Sequence, residues 1–343
     1  MKKIFLAILL CGLFLTGCGK KGEKDVLSEF KNIVDNAKSY YLEGQMELVN
    51  NEDIYTYNIY VSYQADDYYK IELINTINDH EQIILRNDEG VFVVTPSLNK
   101  SFKFQSDWPY NNSQVYLLSS LLEDISNDNE RKFTSLDSEY VFETKVNFPN
   151  NPKLVTQKVY FGKDYLPNKV EVSDKDGNIE IKMVFNKIDL SKNFNDNYFD
   201  LSSILDTNNI EIPDEGENKE ETNTDTKQSA TIDDVIYPMY LPANTYLTNQ
   251  EKVSTDEGER LILTFTGDSS FTIVEEPVVA SKSPEIIPTY GDVELIGGSI
   301  AVINDTSANW FSNGIEYYVV SDTMKTSELL EVAKSISVLP VGK

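Results

Sequence analysis

The chain has 343 residues, with 30 basic and 56 acidic side chains and a formal net charge of -26. Its length is enough for two domains. So acidic a surface repels nucleic acid and anionic headgroups, which excludes a nucleic-acid-binding role and favours solubility or a basic partner.

Lys2 and Lys3 precede an apolar run over 4–15, interrupted only by Cys11 and Gly12, and the run closes on Leu15-Thr16-Gly17-Cys18. A mature membrane-spanning helix needs about 20 apolar residues, so a positive start, a short apolar core and a small-residue exit fit an export signal instead. Leu15 to Cys18 resembles the lipobox of bacterial lipoproteins. That resemblance implies a signal peptide over 1–17 and a diacylglyceryl thioether on Cys18, which becomes the first residue of the mature chain. A thiol is required there because only a sulfur nucleophile can take the lipid. The expected location is the extracytoplasmic face of the cell membrane, since two acyl chains give stable attachment. Cys11 leaves with the signal and Cys18 carries lipid, so no disulfide or cysteine metal site is expected, and stability must come from hydrophobic cores.

Residues 18–24 read as a polar tether. Val26, Phe30, Ile33, Val34 and Ala37 then recur at helical spacing and predict a helix over 25–38. From 40 to 186 the period changes to two: Tyr55, Tyr57, Ile59, Val61 and Tyr63 alternate with Thr56, Asn58, Tyr60 and Ser62, and later runs up to 179–186 behave alike. Asn87-Asp88-Glu89-Gly90 and Asp174-Lys175-Asp176-Gly177-Asn178 read as hairpin turns. Antiparallel strands with one apolar face need a cover. A second predicted helix over 113–125, with Val115, Tyr116, Leu118, Leu121, Leu122 and Ile125, is the candidate beside the first. The expectation for 25–205 is a strongly curved antiparallel sheet wrapped around two helices, of class α+β.

Residues 206–231 hold eight acidic side chains and few aliphatic ones, and predict a linker. Residues 232–343 predict a smaller α+β domain: strands at 261–265, 271–274, 293–296, 299–303 and 315–320, an Asn313-Gly314 hairpin, and a helix over 327–335 with Thr326 as N-cap.

Asn87-Asp88-Glu89-Gly90-Val91-Phe92, leading to Thr95-Pro96-Ser97-Leu98-Asn99-Lys100, is similar to the pattern of the LolA/LolB superfamily of lipoprotein carriers. Ser101 to Pro109 resembles a Gram-positive subgroup of sporulation and germination lipoproteins, and the two-domain layout resembles RseB-type regulators. Tyr240-Leu241-Pro242, Trp310 to Gly314 and Leu329 to Ser335 look like a domain of unknown function found on such lipoproteins. The resemblance implies a half-open β-barrel plugged by helices. It also implies a non-enzymatic envelope lipoprotein that binds a protein partner or a hydrophobic ligand (lipid or lipoprotein) in sporulation, germination or envelope maintenance. The alternative it implies is a regulator that senses envelope stress through an anti-sigma factor.

Catalytic and metal chemistry find little support. His80 is the only histidine and sits in a polar turn, expected to be solvated. A calcium loop needs Gly at position six and Glu at twelve, but counted from Asp174 these are Ile179 and Phe185. Gly297-Gly298 lies between two strands and reads as a turn. No cofactor, metal or enzymatic activity is expected. The aromatic load, 20 Tyr and 16 Phe, is the stronger signal, and Phe92, Phe104, Trp108, Tyr110 and Tyr116 are the candidate lining of a partly open hydrophobic cleft. For the anchor, Cys18→Ala should abolish acyl labelling and leave the precursor uncleaved; normal labelling of that variant would remove the assignment.

Overall fold

The computed structural model describes residues 21–50, 53–104, 106–205, 232, 235–255 and 258–336. The predicted signal peptide, Cys18 and the predicted linker 206–231 lie outside the described residues.

Helix α1, Glu23–Asn36, buries Val26 and Phe30, two of the residues whose spacing predicts it. Six strands follow as an antiparallel meander: β1 Ser39–Asn50, β2 Asp53–Gln64, β3 Tyr68–Asn75, β4 Glu81–Asn87, β5 Gly90–Thr95 and β6 Lys100–Phe104. Helix α2, Leu118–Asn127, separates them from β7 Lys132–Ser135, β8 Tyr140–Lys145, β9 Thr156–Phe161, β10 Pro167–Ser173 and β11 Ile179–Asp189. The second meander returns so that β11 pairs with β1. A single-turn helix α3, Leu201–Ile204, ends this half.

The remaining strands are β12 Thr245–Thr255, β13 Gly258–Gly267, β14 Phe271–Pro277, β15 Glu285–Thr289, β16 Asp292–Ile296, β17 Ser299–Ile303, β18 Ser307–Ser312 and β19 Ile315–Val320, followed by helix α4, Thr326–Ser335. They form a seven-stranded sheet in the order β12-β13-β14-β19-β18-β17-β16, apart from β15. That strand crosses to the first sheet and pairs parallel with β6, giving twelve strands in the order β15-β6-β5-β4-β3-β2-β1-β11-β10-β9-β8-β7. The chain is therefore mostly β, with few helices laid on two sheets, and the α+β expectation reduces to that. Among the described residues the first sheet is open, because β15 and β7 each have only one neighbour.

Curvature brings distant strands onto the same cover. A bulge at Glu43/Gly44 interrupts the β1–β11 register, and bulges bend a strand and raise its twist. A Cβ on Gly44 would lie 2.4 Å from the Val184 carbonyl oxygen, so glycine permits that approach. The Trp108 carbonyl accepts a hydrogen bond from Arg86 on β4, and the Tyr69 ring on β3 meets the indole edge-on at 5.9 Å. A few residues on, the Asp124 carboxylate of α2 accepts from Gln157 on β9 at 2.7 Å, and its carbonyl from Thr144 on β8 at 3.0 Å. The stretch from Trp108 to Asp124 thus spans strands five to seven places apart in the sheet.

Helix α2 begins later than its apolar spacing predicts. The Ser113 N–H donates to the Asn147 carbonyl at 2.8 Å, and the Gln114 N–H to the Ser120 hydroxyl at 2.8 Å. Those bonds hold 113–117 outside the helix with every side chain buried. At the far end, α4 starts at Thr326 itself with Lys325 as N-cap and no side-chain cap. The Asn313-Gly314 turn forms as predicted, with φ of 50° and 77°.

The apolar runs of β4 and β5 have both faces covered. Val91 and Val93 join the concave core with Phe102 and Phe104. Phe92 and Val94 point the other way, with Ile83 and Leu85, into a smaller core closed by Phe199, Leu201 and Leu205. Trp108 is fully buried among concave-face residues. Trp108→Ala should therefore cost about 3–5 kcal/mol of unfolding free energy, as large aromatic truncations in cores do; a denaturant midpoint close to wild type would contradict that placement.

Candidate functional site: a cavity where the two sheets meet

The five aromatic residues proposed from sequence to line a cleft do not come together. Phe104 and Trp108 lie inside the concave core. Phe92 lies on the opposite face, because alternation along β5 gives it the parity of Lys103, its cross-strand partner, and not that of Phe104. Tyr110 is 47% exposed and donates to the Asp67 carboxylate at 2.5 Å. Tyr116 alone of the five reaches the cavity between the sheets. The space expected at Trp108 is filled by the indole.

That cavity, of about 90 Å³, is built from both halves of the chain. Met46 and Leu48 of β1, Tyr116 and Ile181 supply apolar walls, while Glu294 of β16 and Lys334 of α4 bring charge. The Glu294 carboxylate is buried and accepts one bond, from Asn150 Nδ2 at 2.9 Å; desolvation raises its pKa. Lys334 is pushed the other way by burial, opposed by Glu331, Glu294 and Glu180. At the rim, Lys153 bridges to Glu331 at 2.6 Å. Ligand pockets run to roughly 300–1,000 Å³, so this space is too small and too polar for an acyl chain.

The cavity is one part of a broad junction. The Asn50 amide donates to the Lys334 carbonyl at 2.9 Å, and the Ile300 N–H to Gln82 Oε1 at 2.6 Å. The Tyr57 hydroxyl donates to the Gly297 carbonyl. Gly297 has a φ of +67°, and a Cβ there would meet Asn50 Nδ2 at 2.7 Å and the Tyr55 ring at 3.2 Å. The predicted Gly297-Gly298 turn thus doubles as the point where the second sheet presses onto the first. Phe102 stacks on Phe311 at 5.0 Å, and Val293, Ile300, Val302 and Phe311 belong to the concave core of the first sheet.

A second hollow, of about 500 Å³, is bordered by Tyr110, Glu123, Asp124, Asp128 and Lys145. Its lining is polar. Burial lifts the Asp124 carboxyl to about 6 against bonds from Ser113 and Gln157. Asp174 in the predicted turn is satisfied by the N–H groups of Asp176 and Asn178 at 2.9 and 2.8 Å. His80 is less solvated than its polar neighbours imply: its Nε2 is buried and desolvation lowers its pKa. Among the described residues no cluster of three His, Cys, Asp or Glu could hold a metal, and no helix is long and apolar enough to cross a membrane.

No family model matches the chain. It is 34% identical over 334 residues, covering 97% of this chain and 96% of the relative, to the sporulation protein YdcC of Bacillus subtilis (strain 168). Among solved structures it aligns with a chain of the Pseudomonas aeruginosa MucA/MucB complex over 91% of this chain and 98% of that one, at 13% identity and a TM-score of 0.33. It also aligns with a LolA superfamily protein of Nitrosomonas europaea over 51% of this chain and 96% of that one, at 10% identity and a TM-score of 0.30.

The buried carboxyl in the cavity has a definite pH signature. A group whose folded pKa is raised contributes stability below its unfolded value, here 4.5, and loses it as pH rises through the folded value. Glu294→Gln keeps an acceptor for Asn150 and removes the ionisation. Its thermal midpoint should gain on wild type as pH is raised from 4 to 8, and parallel pH profiles for the two proteins would refute the assignment.

Proposed function

The chain belongs to the family of the Bacillus subtilis sporulation protein YdcC, and from that premise we propose that it is a non-enzymatic lipoprotein of the cell envelope, acting in sporulation or germination. In this reading Cys18 holds it to the membrane, and it works by docking a protein and not by carrying an acyl chain. The observation that supports the reading is the filled concave face. Trp108, Leu118, Leu121 and Ile125 are each fully buried against the sheet, and the cavities described above are small or polar. A lipid carrier needs apolar space that a chain can enter, because the transfer of methylenes out of water is what holds the lipid. The net charge of -26 adds that the docked surface is basic.

The test is purification of the mature lipoprotein from sporulating cells after mild crosslinking, with lipid and protein mass spectrometry on the same sample. The expected result is a stoichiometric protein partner, with no fatty-acyl species beyond the covalent anchor. A stoichiometric non-covalent lipid recovered with the mature lipoprotein would overturn the reading. Deletion should give a spore or germination defect; altered envelope-stress transcription with normal spores would favour the regulator alternative.

A further inference from the structure

Each open sheet ends in two edge strands, whose unpaired N–H and C=O groups will pair with any extended chain unless the edge is blunted. Three of the four edges here are blunted. Strand β7 is four residues long and begins with Lys132. Strand β15 is five residues long and contains Pro288, which has no N–H to donate. Strand β16 is largely buried, and its Asp292 carboxylate accepts from Ser106 and Asn111 at 3.2 and 2.6 Å.

Strand β12 is the exception. It runs eleven residues, contains no proline, and is exposed at every position from Tyr246 to Ser254. Among the described residues it pairs only with β13, and none of its side chains joins the core of the second sheet. No described strand pairs with its outer edge. A register shift between Leu247 and Asn249 leaves 249–255 in regular pairing, a length of about 23 Å at the usual rise per residue. The charged side chains are engaged locally: Lys252 is held by Glu259 at 2.8 Å and by the Ile232 carbonyl at 3.1 Å, and Glu251 accepts from the Asn249 amide at 2.8 Å. Tyr246, Leu247 and Val253 are exposed on the strand, and Tyr237 lies beside it with its hydroxyl on Gln250 at 2.8 Å.

We propose that the free edge of β12 receives an extended segment of a protein partner as an added strand. The segment carries Lys or Arg, because the chain it meets has a net charge of -26 and the strand itself exposes Glu251. Main-chain bonds supply affinity in this mode, and alternate side chains set specificity; here Tyr246, Leu247 and Val253 are placed to do so. The proposal rests on the protein-docking reading above and names the surface it uses.

The experiment places a photo-crosslinking amino acid at Asn249, at Val253 and, as control, at Thr134 on β7, in the full-length chain in sporulating cells. Asn249 and Val253 should crosslink to one other protein, at a segment containing Lys or Arg, and Thr134 should not. Proline at Gln250 or at Glu251 covers both N–H directions. The one facing outward should lower the crosslink at least tenfold with an unchanged thermal midpoint, and raising the salt concentration during crosslinking should lower it severalfold. A crosslink indifferent to both prolines, one to a second copy of this chain or to its own 206–231 segment, or none at all would overturn the proposal. A partner recovered by purification but never crosslinked at β12 would remove this surface and leave the docking reading standing.

Discussion

An antiparallel sheet with an apolar concave face must keep water off that face, and most of this molecule follows from how it does so. A fully buried large aliphatic or aromatic side chain is worth about 1.5–3 kcal/mol, and the concave face presents many of them. Helix α2 is only ten residues long and cannot cover twelve strands. The sheet therefore bends over it at the Glu43/Gly44 bulge, the buried non-helical stretch 113–117 extends the cover, and Trp108 closes the side towards β3 and β4.

What remains uncovered is taken by the second sheet. Val293, Ile300, Val302 and Phe311 complete the same apolar cluster, while backbone and amide bonds at Asn50, Gln82 and Gly297 satisfy the polar groups trapped between the layers. A junction that buries backbone must supply such partners, since an unpaired buried donor or acceptor costs about 1–3 kcal/mol. Parallel pairing of β15 with β6, reinforced by Lys100 and Glu285 at 3.1 Å, ties the halves through main chain as well. Glu294 and Lys334 are the charged groups caught in that closure, and their opposite pKa shifts share one cause, loss of water.

A concave face closed by its own chain moves the working surface outward. Of the apolar side chains left exposed, Tyr246, Leu247 and Val253 lie on β12 and Tyr237 beside it, along the one long edge that nothing in the described chain covers. An acidic chain with a filled interior and one long strand edge left unpaired among the described residues is the physical basis of the docking proposal.

Local chemistry was legible in the sequence. Helix α1, the alternation through β2 and β3, the Asn313-Gly314 turn and the last helix follow from spacing and turn residues, because each depends on neighbours a few positions away. The resemblance of Leu15 to Cys18 to a lipobox is legible for the same reason, being carried by four consecutive residues. The parity of Phe92 was open to a closer reading: Val91 to Val94 is an unbroken apolar run, which marks a strand buried on both faces. Other features had no such signal. Strand β12, Thr-Tyr-Leu-Thr-Asn-Gln-Glu-Lys-Val-Ser-Thr, lacks alternation because neither of its faces meets a core. That β15 leaves its own sheet, that 113–117 stays out of the helix, and that the indole of Trp108 fills the space expected to be a cleft were decided by tertiary structure alone. Each depends on a partner far away in sequence — β6, Asn147 and β3 — and only folding brings those partners within reach.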